Sequence, residues 1–226
     1  RNAAYASMLY ALDKNISLLI DKLKKEGLYE NTTIVFTSDN GGLSTLLKNI
    51  NYFAPTSVLP LRSGKVCLYE GGIRIPLLIK PAHYSDKTII CAEPVVSHDF
   101  YPTFLSLANI KYDSDMIDGI DISPVLNENK SLNRKELFWH YPHYHGSGWT
   151  PGAAILQENW KLIEFYETGV VELYNISNDL SETNNLAPKY PEKADSLKNR
   201  LHELQNSMNA NIPRKNPDFE SKIINN

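Results

Sequence analysis

Thr33-Ile34-Val35-Phe36-Thr37-Ser38-Asp39-Asn40-Gly41-Gly42 is the stretch that decides how this chain folds. Its first half is β-branched and apolar, as a short buried strand requires, and its glycine pair reads as the turn that stops the strand. That reading leaves a carboxylate and a carboxamide side by side at a strand's C-terminal end. Open α/β sheets take ligands at that edge. Both side chains offer hard oxygen donors, which suit Ca²⁺ and Mg²⁺. An Asx turn closing the strand accounts for Ser38–Gly42 equally well.

Upstream, Tyr5, Met8, Leu9, Leu12, Ile16, Leu19, Ile20 and Leu23 recur at helical spacing. They predict an amphipathic helix, ended by Gly27 after a lysine-rich turn. Downstream, Leu43 to Ile73 lacks periodicity over a length at which loops are functional or mobile. Ile75–Ile79 predicts a second buried strand, with Pro76 near its start, where a missing N–H is tolerated. Ser97 reads as an N-cap with Asp99 in the first turn of a short helix carried by Phe100, Phe104, Leu105 and Ala108. Strands alternating with helices predict an α/β fold, a mixed or parallel sheet flanked by helices.

Past Asn127 the texture changes. Leu137–His140, Ala153–Gln157, Trp160–Phe165 and Val170–Tyr174 are short runs separated by turn residues, so a β-meander is expected. After Pro191, Ala194, Leu197, Leu201, Leu204 and Met208 form one helical seam, expected to cover a face of that meander. The expected organisation is an α/β part over 1–126, a small antiparallel sheet with a packed helix over 127–212, and a tail over 213–226.

Composition narrows the function. With 226 residues, 42% apolar and 22% charged, the chain reads as an ordinary globular protein able to bury a core. A net charge of -3 argues against nucleic-acid binding, since there is no basic surplus to neutralise phosphates. No apolar run approaches a transmembrane span. Cys67 and Cys91 make neither a disulfide framework nor a zinc site. The chain opens at Arg1 without an initiator Met or a signal peptide and enters a helix at once, so a mature or truncated product is expected.

The second motif is Leu61-Arg62-Ser63-Gly64-Lys65, continuing to Glu70-Gly71-Gly72-Ile73-Arg74-Ile75-Pro76. Glycine beside lysine lets the backbone turn sharply and presents an ammonium to an anion. It is not a P-loop, because the spacing differs and no strand leads into it. Glu70 and Arg74 read as a structural ion pair around the glycines.

Together, the two motifs resemble the formylglycine-dependent sulfatases of the alkaline-phosphatase superfamily. The resemblance extends through the opening helix, Ser97-His98-Asp99-Phe100-Tyr101-Pro102-Thr103, Asp118-Gly119-Ile120-Asp121 and the terminal meander, over residues 1 to about 210. It implies a sulfatase-like α/β fold and sulfuric-ester hydrolysis, with a carbohydrate sulfate expected. Asp39 and Asn40 match two oxygen ligands of a divalent cation, usually Ca²⁺, with Mg²⁺ as the alternative. Lys65 matches the catalytic lysine that contacts the sulfate. The nucleophile would be a formylglycine made in a Cys/Ser-x-Pro-x-Arg motif, which is missing here, as are the family's N-terminal aspartate pair and its other sulfate-binding Lys and His.

The chain thus resembles the C-terminal half of such an enzyme, with formylglycine expected upstream and the missing N-terminal half as its partner. The chain alone is expected to be inactive. Such enzymes are periplasmic, secreted or lysosomal. One departure is Val66, where many relatives have glycine after the lysine.

His140-Tyr141-Pro142-His143-Tyr144-His145-Gly146 concentrates imidazoles and phenols in one loop. Zinc is one reading, but imidazoles two residues apart in a loop do not readily converge. Contact with a sulfated small molecule or glycan is the stronger one, with His143 and His145 at the pocket edge. Trp149, beside Gly148 and Pro151, is the candidate for stacking on a sugar, whereas Trp139 and Trp160 read as core. Three other readings stay open: a phosphate or phosphonate monoester hydrolase of the same superfamily, a non-catalytic glycan-binding relative, and a separate chain that completes another's active site.

Overall fold

A computed structural model describes residues 2–45, 54–83, 88–128, 131–214 and 216–217. In chain order the elements are α1 (Ala3–Lys25), β1 (Ile34–Thr37), α2 (Glu70–Ile73), β2 (Leu77–Lys80), α3 (Phe100–Leu107), α4 (Ser123–Glu128), β3 (Glu136–Tyr141), β4 (Gly152–Gln157), β5 (Trp160–Phe165), β6 (Val171–Asn175) and α5 (Pro191–Ser207). Contacts divide them into two units. One holds Ala3–Ser38 with Pro76–Arg134; the other holds Asp39–Ile75 with the chain from Lys135 on. The expected tail over 213–226 lies largely outside the described residues, as do residues 46–53 of the long aperiodic stretch.

In the first unit, β1 and β2 pair antiparallel, from Ile34↔Lys80 to Thr37↔Leu77. No parallel pairing occurs among the described strands. The core here is Ile122, Val125 and Leu132, with Ile79, Val95 and Ile120 packed against them. Ser97–Asp99 forms a 3-10 turn ahead of α3. Asp99 lies in this first turn as expected, but the N-cap position is taken by Val96 rather than Ser97. Asp99 is fully buried, accepts from the Val96 and Ile120 amides at 2.9 and 3.0 Å, and pairs with Arg134 at 2.5 Å. A buried carboxylate needs such compensation, so Asp99 acts as an anchor. No residue of α1 is fully buried; Tyr5, Ile16, Ile20 and Leu23 of its predicted apolar seam are half-buried, and Met8, Leu9, Leu12 and Leu19 are exposed.

The second unit is built on the meander β3-β4-β5-β6, all antiparallel, with strand limits within one residue of the sequence runs. A two-residue turn, Glu158-Asn159, joins β4 to β5, with Glu158 at φ 55. Because side chains alternate along a strand, each strand serves two cores. Ala153, Ile155, Leu162 and Leu173 face Ala194, Leu197 and Leu201 of α5. Ala154, Ile163 and Tyr174 instead pack with Cys67, Leu68, Tyr69 and Trp149. The meander is therefore clad by a helix on one face and by the glycine-rich loop on the other. Both cysteines are free thiols, Cys67 buried and Cys91 exposed.

Candidate functional site

The glycine pair after β1 and the glycine-lysine loop are one feature in space. The Gly41 amide donates to the Gly72 carbonyl at 2.9 Å, and the Lys65 amide donates to the Gly42 carbonyl at 3.0 Å. Within the loop, the Gly71 amide donates to the Arg62 carbonyl at 2.9 Å. No side chain fits between these backbones. A Cβ on Gly41 would lie 1.8 Å from the Gly71 oxygen, and one on Gly72 would lie 2.0 Å from the Cys67 oxygen. Glycine is required at these positions for close approach. The exposed Asp39, the half-buried Asn40 and the exposed Lys65 thus belong to one backbone-bonded cluster. Asn40 Nδ2 donates to the Gly41 carbonyl at 3.0 Å, which orients its amide.

Ser63 and Val66, which flank Gly64-Lys65, have φ of 64 and 74. Val66 therefore holds the left-handed backbone that a glycine would take freely, at a strain of about 1–2 kcal/mol. Its side chain packs against the Cys67 cluster, which offsets part of that strain.

Beneath the loop lies a charged network that sequence reasoning missed apart from the Glu70–Arg74 pair, which is present at 3.3 Å. Lys161 of β5 is fully buried, 2.8 Å from both Glu70 Oε1 and Glu182 Oε1. Glu182 Oε2 accepts from the Glu70 amide at 2.6 Å. Arg62 lies 3.8 Å over the Tyr69 ring and donates to the Tyr174 hydroxyl at 2.7 Å and the Glu182 carbonyl at 2.8 Å. Tyr69 and Tyr174 both donate to Glu172, at 2.7 and 2.8 Å. Burial, then hydrogen bonding to that carboxylate, pushes both phenols well above their ordinary range and keeps them protonated. No local signal marks Lys161 as buried, since its run Trp160–Phe165 carries a second charge, Glu164, on the opposite strand face.

His143 and His145 are exposed on the β3–β4 connection. His143 sits edge-on to Tyr141 at 5.3 Å, and His145 Nδ1 is 3.0 Å from the Ser147 hydroxyl. His140, by contrast, is held on β3 by the Tyr166 hydroxyl at 2.6 Å. Among the described residues, no three His, Cys, Asp or Glu side chains converge as a metal cluster. Trp149 departs from its expected role. It is 3% exposed, with its ring against Tyr69 and Phe165 at 5.8 and 5.4 Å. A ring packed between two others has no face for a sugar, so Trp149 tethers the histidine loop to the lysine loop.

The Asp39-Asn40 pair fits a hard divalent cation by donor chemistry, as a carboxylate beside a carboxamide. Calcium takes six or more oxygens, so these two side chains alone would not complete such a shell.

Residues 63–207 match the family described as N-sulphoglucosamine sulphohydrolase, C-terminal, and residues 2–110 match the family Sulfatase. A sulfatase of Formosa agariphila is 35% identical over 208 residues, covering 84% of this chain and 36% of that protein. The solved structure of Ps i-CgsB in complex with k-i-k-neocarrahexaose is 29% identical with a TM-score of 0.71, covering 90% of this chain and 44% of that one. BT4656 in complex with its substrate D-glucosamine-2-N,6-O-disulfate is 32% identical with a TM-score of 0.67, covering 91% and 40%. The chain thus spans less than half the length of these relatives.

Proposed function

The chain belongs to the sulfatase family, and from that premise we propose that the whole protein hydrolyses sulfate esters of a carbohydrate, with this chain supplying part of the metal and sulfate site. The observation that carries the reading is the bond from the Lys65 amide to Gly42, two residues from Asn40. It joins an exposed ammonium to a pair of hard oxygen donors on one backbone framework. The fold is the α/β sulfatase fold, as its likeness to BT4656 and Ps i-CgsB indicates.

In this reading Asp39 and Asn40 hold Ca²⁺, or Mg²⁺ in its place. The cation and an upstream formylglycine supply charge neutralisation and the nucleophile when they are present. Lys65 binds the sulfate oxygens as a compact charge with three donors. The developing negative charge on sulfate then meets fixed positive charge already in place. His143 and His145 contact the sugar, a role supported by their exposure on the loop that Trp149 tethers. The sugar is inferred from the ligands bound to Ps i-CgsB and BT4656. We further propose that residues 1–126 complete the catalytic α/β part and 127–212 the subdomain. The compartment is proposed to be periplasmic, secreted or lysosomal; among the described residues no helix is long and apolar enough to cross a membrane.

Matched aryl sulfate and aryl phosphate esters, assayed on the whole protein, test the reaction. Sulfate turnover is expected, at least tenfold faster than phosphate. A preference for phosphate overturns the sulfatase reading in favour of a monoester phosphatase or phosphonatase. Binding of sulfated sugar without any turnover points to a non-catalytic relative. Asp39→Ala should abolish activity and weaken calcium binding, and retained activity would return Asp39 to a turn residue.

A further inference from the structure

We propose that Lys161, with Glu182, is a positioning residue for Lys65: the buried ion cluster under the glycine-rich loop fixes the backbone that aims the exposed ammonium. The proposal rests on Lys65 acting on sulfate as read above.

Three observations converge on it. Lys161 and Glu182 are both fully inaccessible, and the one ammonium bridges Glu70 and Glu182 at 2.8 Å each. Arg74 on Glu70 balances the remaining carboxylate charge. Such clusters add little net stability, since replacing them with apolar groups is often neutral or better. Their distinctive contribution is geometric. Second, Glu182 has φ 51, a left-handed backbone that a non-glycine residue holds only when its surroundings over-determine it. Here that conformation presents one carboxylate oxygen to Lys161 and the other to the Glu70 amide, at the first residue of α2.

Third, the cluster connects to Lys65 by short steps. The Gly71 and Gly72 amides, next to Glu70, donate to the Arg62 and Tyr69 carbonyls, and Arg62 itself donates to the Glu182 carbonyl. Gly72 in turn accepts from Gly41, and Gly42 accepts from Lys65. A shift of Glu70 is therefore transmitted by main-chain bonds to both the Asp39-Asn40 edge and Lys65. The packing leaves no slack to absorb it, because the glycines already touch backbone.

The test uses the whole protein with Lys161→Met combined with Glu182→Gln, which neutralises Glu182 and leaves Arg74 as the ion-pair partner of Glu70. Each variant is also made in a Lys65→Ala background. Three readings are taken: thermal midpoint, kcat and KM on an aryl sulfate, and hydrogen exchange at the Gly41, Lys65 and Gly71 amides. The expected result is a fold that persists, faster exchange at those three amides, and at least a tenfold loss in kcat/KM. That loss should vanish in the Lys65→Ala background, and Lys161→Arg should restore part of it. Unchanged exchange, or an activity loss that multiplies with Lys65→Ala, overturns the proposal. If the double variant does not fold, Glu182→Gln alone is put through the same cycle and judged by the same outcomes. A parent protein without sulfatase activity overturns the functional reading instead, while exchange still decides whether Lys161 holds the loop.

Discussion

Gly41 is where the smallest change should do the most damage. An alanine methyl there meets the Gly71 carbonyl at 1.8 Å, a backbone atom that cannot swing aside. Gly41→Ala is expected to cost about 3 kcal/mol, the upper range for forced overpacking, and to remove activity in the whole protein. Gly148→Ala is the control: its methyl meets nothing within 4 Å, and only the φ of 93 opposes it, at about 1–2 kcal/mol. Urea unfolding of both variants checks the difference, and equal costs would refute the interlock. Val66→Gly should change stability by less than about 1 kcal/mol, because relieved strain and lost packing offset each other. At this scale the sequence was legible where backbone geometry is local, in the turn after β1 and the glycine-lysine loop. Asp39, Asn40 and Lys65 stand in motifs whose neighbours announce a turn or an anion. Trp149 was not legible, since its burial depends on Tyr69 and Phe165, and the flanking Gly148 and Pro151 carry only the sign of a loop.

The meander strands were read to within a residue because period-two alternation is a local signal, whereas the partner of each face is not. Nothing in Trp160–Phe165 states that Lys161 faces a second layer of structure rather than water. The turn after β6 shows how such layers respond to acid. Burial alone would raise the Asp179 carboxyl, but the Asn184 and Thr183 amides and the Thr183 hydroxyl outweigh it, so it lies below its ordinary 3.8. That stabilisation is complete above the unfolded value and is lost as pH falls through the folded one. Glu182 has the opposite sign. Its burial outweighs Lys161 and holds it above 4.5, so its contribution declines as pH rises from there toward the folded value. Denaturant midpoints followed from about pH 6 down to about pH 3 should therefore fall less steeply in Asp179→Asn and more steeply in Glu182→Gln. Parallel curves for all three proteins would refute both assignments.

For the whole molecule, the decisive fact is the seam of α1. Met8, Leu12 and Leu19 are 69%, 47% and 59% exposed, and Leu78 of β2, in the same unit, is 62% exposed. A regular apolar stripe is specified at helical spacing in order to be covered, yet no residue of this helix is buried. Contiguous apolar surface of this kind drives association. The same shortfall appears in the chemistry. As the proposed ligands, Asp39 and Asn40 would supply only two side chains of a calcium shell of six or more oxygens, and the chain spans 36% of its Formosa agariphila relative. The two shortfalls make a joint prediction for the 226-residue chain expressed alone. It should self-associate and bind an apolar dye, and Met8→Glu with Leu12→Glu should suppress both without altering the meander's exchange protection. It should also hydrolyse no aryl sulfate at any calcium concentration, whereas turnover is expected of the whole protein. Clear turnover by the isolated chain would mean that its own residues complete a site that Asp39, Asn40 and Lys65 only begin.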